Sequence, residues 1–374
     1  MKLFKQLLVA PAAIGLLAPL SASASDVNFD AISNYSNNDL EIDVSSFNQK
    51  STNNDLLAGG EGLVESSETI GGFSETTTAS FGVDFLVGAA DGSTVTEAAT
   101  FSYQMGIGLE TSFTGEDSLS ATIDIGDAAG PVGTGSSETN YDGLNFDSTS
   151  NVLTLDGLTY TFPLGGATVM VGDSTDISAL YTGACAYSAF TDYMGNCGTG
   201  NTVGVGGNGV TAAMSYAFDS GFSLAGGISS TPGSILTGDS ANADTYGIEA
   251  AYSADSYGVS VAYADADSGS TAWGVNGYYA FDFATLSAGV ESVDTGTTAE
   301  GFFVGLSFPE VGAGSLDIGM ATKGNFADGA TEYYIYEASY AYPINDGMTI
   351  TPGVYITEGA TDVTGVAVKT SFSF

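Results

Sequence analysis

The sequence predicts an all-β fold, namely a transmembrane antiparallel β-barrel of about 16 strands (range about 14–18) behind a short N-terminal periplasmic lead. Three observations support this prediction. Apolar and polar residues alternate with a period of two over most of the chain. The polar positions carry mostly Gly, Ser, Thr and Ala, and aromatic residues collect at the ends of the alternating runs. This combination is typical of strands that face lipid on one side and a watery lumen on the other.

The charge balance excludes several classes of function. The 374 residues include 44 acidic and 5 basic residues, all five of them Lys, and the net charge is −39. Without His, the chain cannot form a Ser-His-Asp or Cys-His catalytic set or a His-based metal site. A phosphate backbone would repel so acidic a chain. We therefore predict that the protein is no enzyme, needs no cofactor or metal, and binds no nucleic acid.

Residues 1–24 are predicted to be a secretory signal peptide. Lys2 and Lys5 give a positive start, Leu7–Leu20 is an apolar run, and Ala22–Ala24 is a small-residue cleavage site. A membrane anchor is the alternative, but the apolar run is shorter than the ~20 residues that a spanning helix needs. We therefore expect an exported protein.

The mature chain is predicted to have two parts. Residues 25–76 are rich in Ser, Asn, Asp and Glu and show little periodicity, which predicts an acidic periplasmic lead or linker. This lead contains either one short helix near Phe29–Tyr35 or no regular structure. Residues 77–374 form the predicted barrel.

Alternation identifies the strands one by one. In Phe101–Glu110 every second residue is apolar, and Leu119–Gly126 repeats the pattern. Val152–Phe162 changes register at Asp156–Gly157, which predicts either a tight hairpin or a β-bulge. The later runs are Val210–Phe218, Phe222–Ile228, Tyr246–Tyr252, Tyr257–Tyr263, Trp273–Phe281, Ala284–Val290, Phe302–Phe308, Leu316–Thr322, Tyr334–Tyr342, Met348–Ile356 and Val366–Phe374.

A soluble sandwich or barrel would also accept this alternation, with its apolar face turned inward. The near absence of Lys on the polar face argues against it, because soluble surfaces carry both signs of charge. The chain also ends in a strand that closes on a terminal aromatic residue, as outer-membrane barrel proteins do. Phe372 and Phe374 are the predicted C-terminal assembly signal.

If the apolar set faces lipid, the opposite set lines the lumen. Carboxylates there either favour cations over anions or simply solvate a watery interior. The predicted pore-lining acids are Asp84, Glu110, Asp124, Glu249, Glu291, Asp317 and Glu337, and the predicted pore-lining lysines are Lys323 and Lys369.

Cys185 and Cys197 are the only cysteines. Because an exported barrel lies in an oxidising compartment, we predict a disulfide between them. They lie in residues 173–209, the longest break in the alternation. This segment is either a constriction loop folded into the pore or an external loop.

Five segments resemble porins of marine picocyanobacteria, and they occur in the same order. They are Met1–Ala13, Phe73–Phe81, Thr111–Leu119, Thr159–Gly165 and Val368–Phe374. That family is similar to the carbohydrate-selective porins of Gram-negative bacteria. The resemblance covers nearly the whole chain. It implies a homotrimeric barrel of about 16 strands in the outer membrane that passes small solutes, with sugars as the nominal substrate class.

The chain departs from that pattern in two respects. The predicted lead is too short for the S-layer-homology domain that many cyanobacterial members carry, so we expect no attachment to the cell wall by that route. The absence of Arg weakens the expectation of stereospecific sugar binding and favours a general pore that prefers cations.

The sequence thus predicts an outer-membrane porin for ions and small hydrophilic solutes, whose partners are lipid, these solutes and further copies of the chain. The alternative is an acidic, exported structural or surface-layer β-protein.

Overall fold

A closed antiparallel β-barrel of sixteen strands makes up most of the described chain. The computed structural model describes residues 77–92, 99–127, 149–203, 209–233, 235–236 and 244–374. The prediction of an antiparallel barrel of about sixteen strands is confirmed. The predicted signal peptide and acidic lead lie outside the described residues. No helix in the described part of the chain is long and apolar enough to cross a membrane.

The strands follow each other round the wall in chain order, and β1 pairs with both β2 and β17 to close it. A further two-residue strand, β14, pairs with the start of β12 and is no part of the sixteen. The strands are β1 (Thr77–Asp91), β2 (Thr100–Thr111), β3 (Ser118–Gly126), β4 (Thr154–Leu164), β5 (Ala167–Thr175), β6 (Gly209–Ala217), β7 (Phe222–Ser230), β8 (Thr245–Ser253), β9 (Tyr257–Ala266), β10 (Ser270–Ala280), β11 (Thr285–Asp294), β12 (Thr298–Val311), β13 (Gly314–Thr322), β14 (Phe326–Ala327), β15 (Tyr334–Asn345), β16 (Met348–Thr357) and β17 (Val363–Ser373).

The period-two pattern sorts side chains to the two faces of the wall. On β9, Val259, Val261 and Tyr263 are exposed on the outer face, whereas Ser260 and Ala262 are buried on the lumen side. Branched and aromatic residues suit a pleated surface, and small residues leave room inside the barrel. The apolar set therefore faces outward.

Exposed aromatic side chains lie near both ends of the strands on the outer face. Tyr257 and Tyr279 lie near one end of β9 and β10, and Tyr263 and Trp273 lie near the other. The valines and other aliphatic residues occupy the band between them. The barrel thus carries an apolar belt between two aromatic girdles.

The two ends of the barrel differ in their connections. At one end, two-residue turns join consecutive strands, such as Gly165–Gly166, whose φ values of 59° and 87° fit a type I′ hairpin turn. The barrel's first and last strands also meet at this end, where Gly82 pairs with Ser373. The other end carries the longest connection, residues 176–208 between β5 and β6.

The register change at Asp156–Gly157 is a β-bulge, which decides between the two predicted alternatives. Thr122 on β3 lies opposite Gly157, and the next residue, Ile123, lies opposite Leu155. Asp156 is therefore the extra residue, and β4 continues through the bulge as one strand.

Candidate functional site

The connection between β5 and β6 turns back into the lumen. We call residues 176–203 the inner loop. A 3₁₀ turn opens it at Ile177–Leu180, where the carboxylate of Asp176 accepts the N–H of Ser178 at 2.7 Å. A second 3₁₀ segment, Asp192–Gly198, follows.

A disulfide joins Cys185 to Cys197 within the inner loop, with 5.6 Å between their Cα atoms. Asn196 and Cys197 have φ values of 53° and 52°, in the left-handed region. Asn tolerates this region better than most residues, because its short polar side chain can bond locally. The chain reversal at Asn196 brings Cys197 back towards Cys185.

Glu337 on β15 holds the middle of the inner loop. Its carboxylate accepts the backbone N–H of Phe190 at 2.8 Å and that of Thr191 at 2.7 Å. The hydroxyls of Thr191 and Tyr187 donate to it as well, at 2.5 and 3.0 Å. Burial and the adjacent Glu337 charge raise the pKa of the Tyr187 phenol well above its ordinary value. Tyr187 therefore stays protonated and remains a donor to Glu337.

Glu249 on β8 holds the start of the loop in the same way. Its two carboxylate oxygens accept the backbone N–H groups of Thr182 and Gly183, at 2.7 and 2.8 Å. Glu249 is only 2% exposed. Its carboxylate therefore serves as an acceptor for the loop backbone, whose buried N–H groups each need a hydrogen-bond partner.

Glu291 on β11 holds the end of the loop. It accepts the N–H groups of Asn201 and Thr202 at 2.8 and 2.9 Å, and the side-chain amide of Asn201 at 2.6 Å. Asn325, beyond β13, donates to the same carboxylate at 3.1 Å. We call Glu249, Glu291 and Glu337 the anchor glutamates.

The barrel wall beneath the loop is lined with glycine. A Cβ atom at Gly319 would lie 2.6 Å from the sulfur of Met194, and one at Gly289 would overlap the carbonyl oxygen of Cys197. Only glycine lets the loop backbone approach so closely. The other wall glycines in close contact with the loop are Gly274, Gly305 and Gly353.

Apolar packing completes the contact between loop and wall. Met194 and Cys197 are fully buried against Phe303 on β12 and Ile335 on β15. Carboxylates, glycine gaps and apolar side chains together thus fix the loop against the lumen wall.

Much of the lumen face of β1–β4 is polar, although Leu86 on β1 belongs to an apolar cluster against which Phe190 of the inner loop packs. Asp84 accepts a hydrogen bond from the side-chain amide of Gln104 at 2.8 Å. Asp124 lies opposite Gly106, and Glu110 is exposed at the end of β2.

The seven predicted pore-lining acids thus fall into two groups. Asp84, Glu110 and Asp124 lie on the polar wall. The anchor glutamates lie beneath the loop, as does Asp317, which is 5% exposed and accepts the Ser307 hydroxyl at 2.5 Å. The alternating pattern assigns all seven acids to the lumen face. It does not predict that the inner loop covers four of them.

The two predicted lumen lysines lie far apart along the chain. Lys369 on β17 lies on the same face of the wall as buried Ala367, two residues before it, and opposite Leu86 on β1. Lys323 follows β13, and its ammonium nitrogen is 5.9 Å from the ring centroid of Tyr193 in the inner loop.

The predicted C-terminal assembly residues lie along the seam where the barrel closes. The ring of Phe374 stacks on Phe81, with 5.5 Å between centroids. Phe372 packs edge-on against Phe85 at 5.9 Å. Both contacts thus join β17, or the residue that follows it, to β1.

Similar solved structures are bacterial outer-membrane porins. OprB of Pseudomonas putida, in a high-pH structure, has a TM-score of 0.65 and 13% identity, over 80% of this chain and 94% of that chain. OmpT of Vibrio cholerae lacking loop L8 has a TM-score of 0.58 and 10% identity, over 80% and 100%. A mutant Rh. blastica porin has a TM-score of 0.52 and 16% identity, over 80% and 100%. No protein-family model and no curated protein sequence matches the chain. The described chain therefore has the sixteen-stranded barrel fold of bacterial outer-membrane porins.

Proposed function

We propose that this protein is an outer-membrane porin that lets ions and small hydrophilic solutes diffuse through the barrel lumen, with a preference for cations. The observation that carries the proposal is the inner loop. It is fixed to one side of the lumen wall and leaves the polar wall of β1–β4 facing the solution.

The outer surface supports a place in a lipid bilayer. An apolar belt between two aromatic girdles matches the hydrocarbon core and the two interfaces of a membrane. A soluble structural β-protein, the alternative function, would expose that belt to water, where large apolar patches promote association.

The connections support an orientation for the barrel. Outer-membrane barrels have short turns on the periplasmic side and longer loops outside. The two-residue turns, such as Gly165–Gly166, and the seam pair Gly82 and Ser373 would then face the periplasm.

The polar wall supports the cation preference. Its acids are Asp84, Glu110 and Asp124. Among the residues that the structure describes, Lys369 is the one lysine nearby that faces the lumen. An excess of carboxylates in a narrow, low-dielectric passage raises the local concentration of cations and lowers that of anions.

The proposal needs no chemical reaction and no cofactor. Sugar passage, a homotrimer, a cyanobacterial source and the signal peptide remain predictions from the sequence. The same holds for the predicted lack of wall attachment.

Single-channel recording of the mature protein in planar bilayers under a KCl gradient tests the proposal. We expect stepwise conductance and a reversal potential of the sign that cation preference requires. Sugar additions that block the current would support the sugar prediction. Folded protein that never conducts would contradict the porin function, and folded protein that stays soluble without detergent would favour the structural alternative.

A further inference from the structure

The β-bulge on β4 adds a carboxylate to the lumen wall. Leu155 lies opposite Ile123, which faces outward with the other apolar residues of β3. Gly157 lies opposite Thr122, which faces the lumen. In a strand with regular alternation, a residue that faces outward, such as Leu155, is followed directly by one that faces the lumen, such as Gly157. Because a bulge inserts one residue and re-aims its side chain, Asp156 occupies a position that the alternating pattern does not provide.

Asp156 borders a polar recess in the lumen wall of about 310 Å³. Thr122, Thr159 and Thr175 line this recess beside it, together with Asp176. Asp176 begins the inner loop and accepts the N–H of Ser178, so the recess lies where the loop leaves the wall. Asp156 itself is exposed.

Asp156 extends the row of carboxylates on the polar wall. Asp84 lies opposite Gln104 on β2, and Asp124 lies opposite Gly106, two residues further along the same strand. Asp124 in turn lies opposite Thr154, two residues before Asp156. The three carboxylates thus lie on β1, β3 and β4 of the same lumen face, each displaced along the strands from the one before.

Asp156 differs from the anchor glutamates in its position relative to the inner loop. Glu249, Glu291 and Glu337 each accept two backbone N–H groups of the inner loop. Those donors offset the charge that a passing ion would otherwise meet. Hydrogen bonds from the loop go to β7, β8, β10, β11, β13 and β15, whereas Asp156 is on β4.

We infer that Asp156 is a specificity-determining residue of this barrel, which favours cations over anions at the depth where the inner loop narrows the lumen. The inference rests on the proposed porin function. The charge acts on ions that pass along the polar wall, and the hydroxyls of the recess can replace part of a cation's hydration shell.

Reversal potentials of Asp156→Asn and wild type at about 0.1 M salt test the inference, because the Debye length is then about 10 Å and the charge is only partly screened. We expect the cation-to-anion permeability ratio to fall by about twofold. This is the effect that one unit charge exerts in water on an ion about one Debye length away. Asp156→Ser is the second variant, since Ser matches the hydroxyl lining of the recess. Folding is checked by heat-dependent migration in SDS gels.

Asp173→Asn is the matched control. Asp173 on β5 is exposed and lies opposite Leu158, which is on the outer face of the barrel. This variant therefore loses the same charge from the other face of the wall. We expect its reversal potential to equal that of wild type. A folded, conducting Asp156 variant with unchanged selectivity would overturn the inference and leave the porin function intact. Wild-type protein that does not conduct would overturn the porin function itself.

Discussion

At the scale of single residues, the lumen acids with the lowest exposure act as hydrogen-bond acceptors for a backbone. Glu337 receives four donors from three residues of the inner loop. A carboxylate only accepts, so it matches a surface of N–H and O–H groups, whereas an amide would turn its own N–H₂ towards some of them. The negative charge of the chain therefore has a structural role as well as an electrostatic one.

Replacing Glu337 by Gln should loosen the inner loop. Each hydrogen bond to a charged acceptor contributes about 1.5–3 kcal/mol, and Gln cannot accept on both sides. We expect more frequent closures and noisier open-channel current, recorded in single-channel traces of the variant. Glu110→Gln removes the same charge from an exposed position at the end of β2 and is the control. Equal noise in the two variants would contradict the role of Glu337 as an anchor.

At the scale of elements, the inner loop and the glycine-lined wall fit each other. Gly289 lies so close to the carbonyl oxygen of Cys197 that even a methyl group would overlap it. Gly82 on β1, by contrast, has open space at the corresponding position. The two glycines therefore offer a matched pair for testing how tightly the loop is seated.

We expect Gly289→Ala to displace the inner loop at a cost of about 1–3 kcal/mol, as overpacking does elsewhere, and Gly82→Ala to leave it in place. Limited proteolysis with chymotrypsin measures the difference, because the loop carries Tyr181, Tyr187 and Tyr193. Faster cleavage of the loop is expected only in Gly289→Ala. Equal cleavage in both variants would show that the contact at Gly289 does not hold the loop.

The sequence predicts elements better than it predicts what fills the barrel. Alternation with a period of two gives the strands from Phe101–Glu110 onward, because one face of each must be apolar. It does not single out β5, which follows the tight turn at Gly165–Gly166. The seating of the loop depends on pairs such as Glu337 and Thr191, far apart in sequence, and no local pattern encodes such pairs. Asp156 is visible only as a register change until the pairing of β3 with β4 shows the bulge.

At the scale of the whole molecule, the outer belt determines the solvent in which the barrel is stable. Val261 lies on β9 between the aromatic residues Tyr257 and Tyr263, and it is 49% exposed. In a bilayer that exposed surface contacts lipid chains. A charge there has no partner and no water.

Val261→Lys should therefore weaken folding into lipid by about 2–4 kcal/mol, the cost of Lys near the bilayer midplane. Thr271→Lys, near the end of β10 and opposite Asp265 and Asp294, should cost only about 0–1 kcal/mol. Urea titration of protein folded in lipid vesicles measures both. Similar losses at the two positions would contradict a lipid-facing belt.

The seam between β1 and β17 also bears on how the barrel forms. Most pairs in the wall join strands that are neighbours in sequence, but the seam joins residues as distant as Gly82 and Ser373. Contacts of high sequence separation form slowly, because a long segment of chain must be ordered first. Hairpins can form one after another, whereas the cylinder closes only when Phe372 and Phe374 reach β1. We therefore expect the seam to close more slowly than the hairpins form, and the aromatic contacts of Phe372 and Phe374 with β1 to favour its closure.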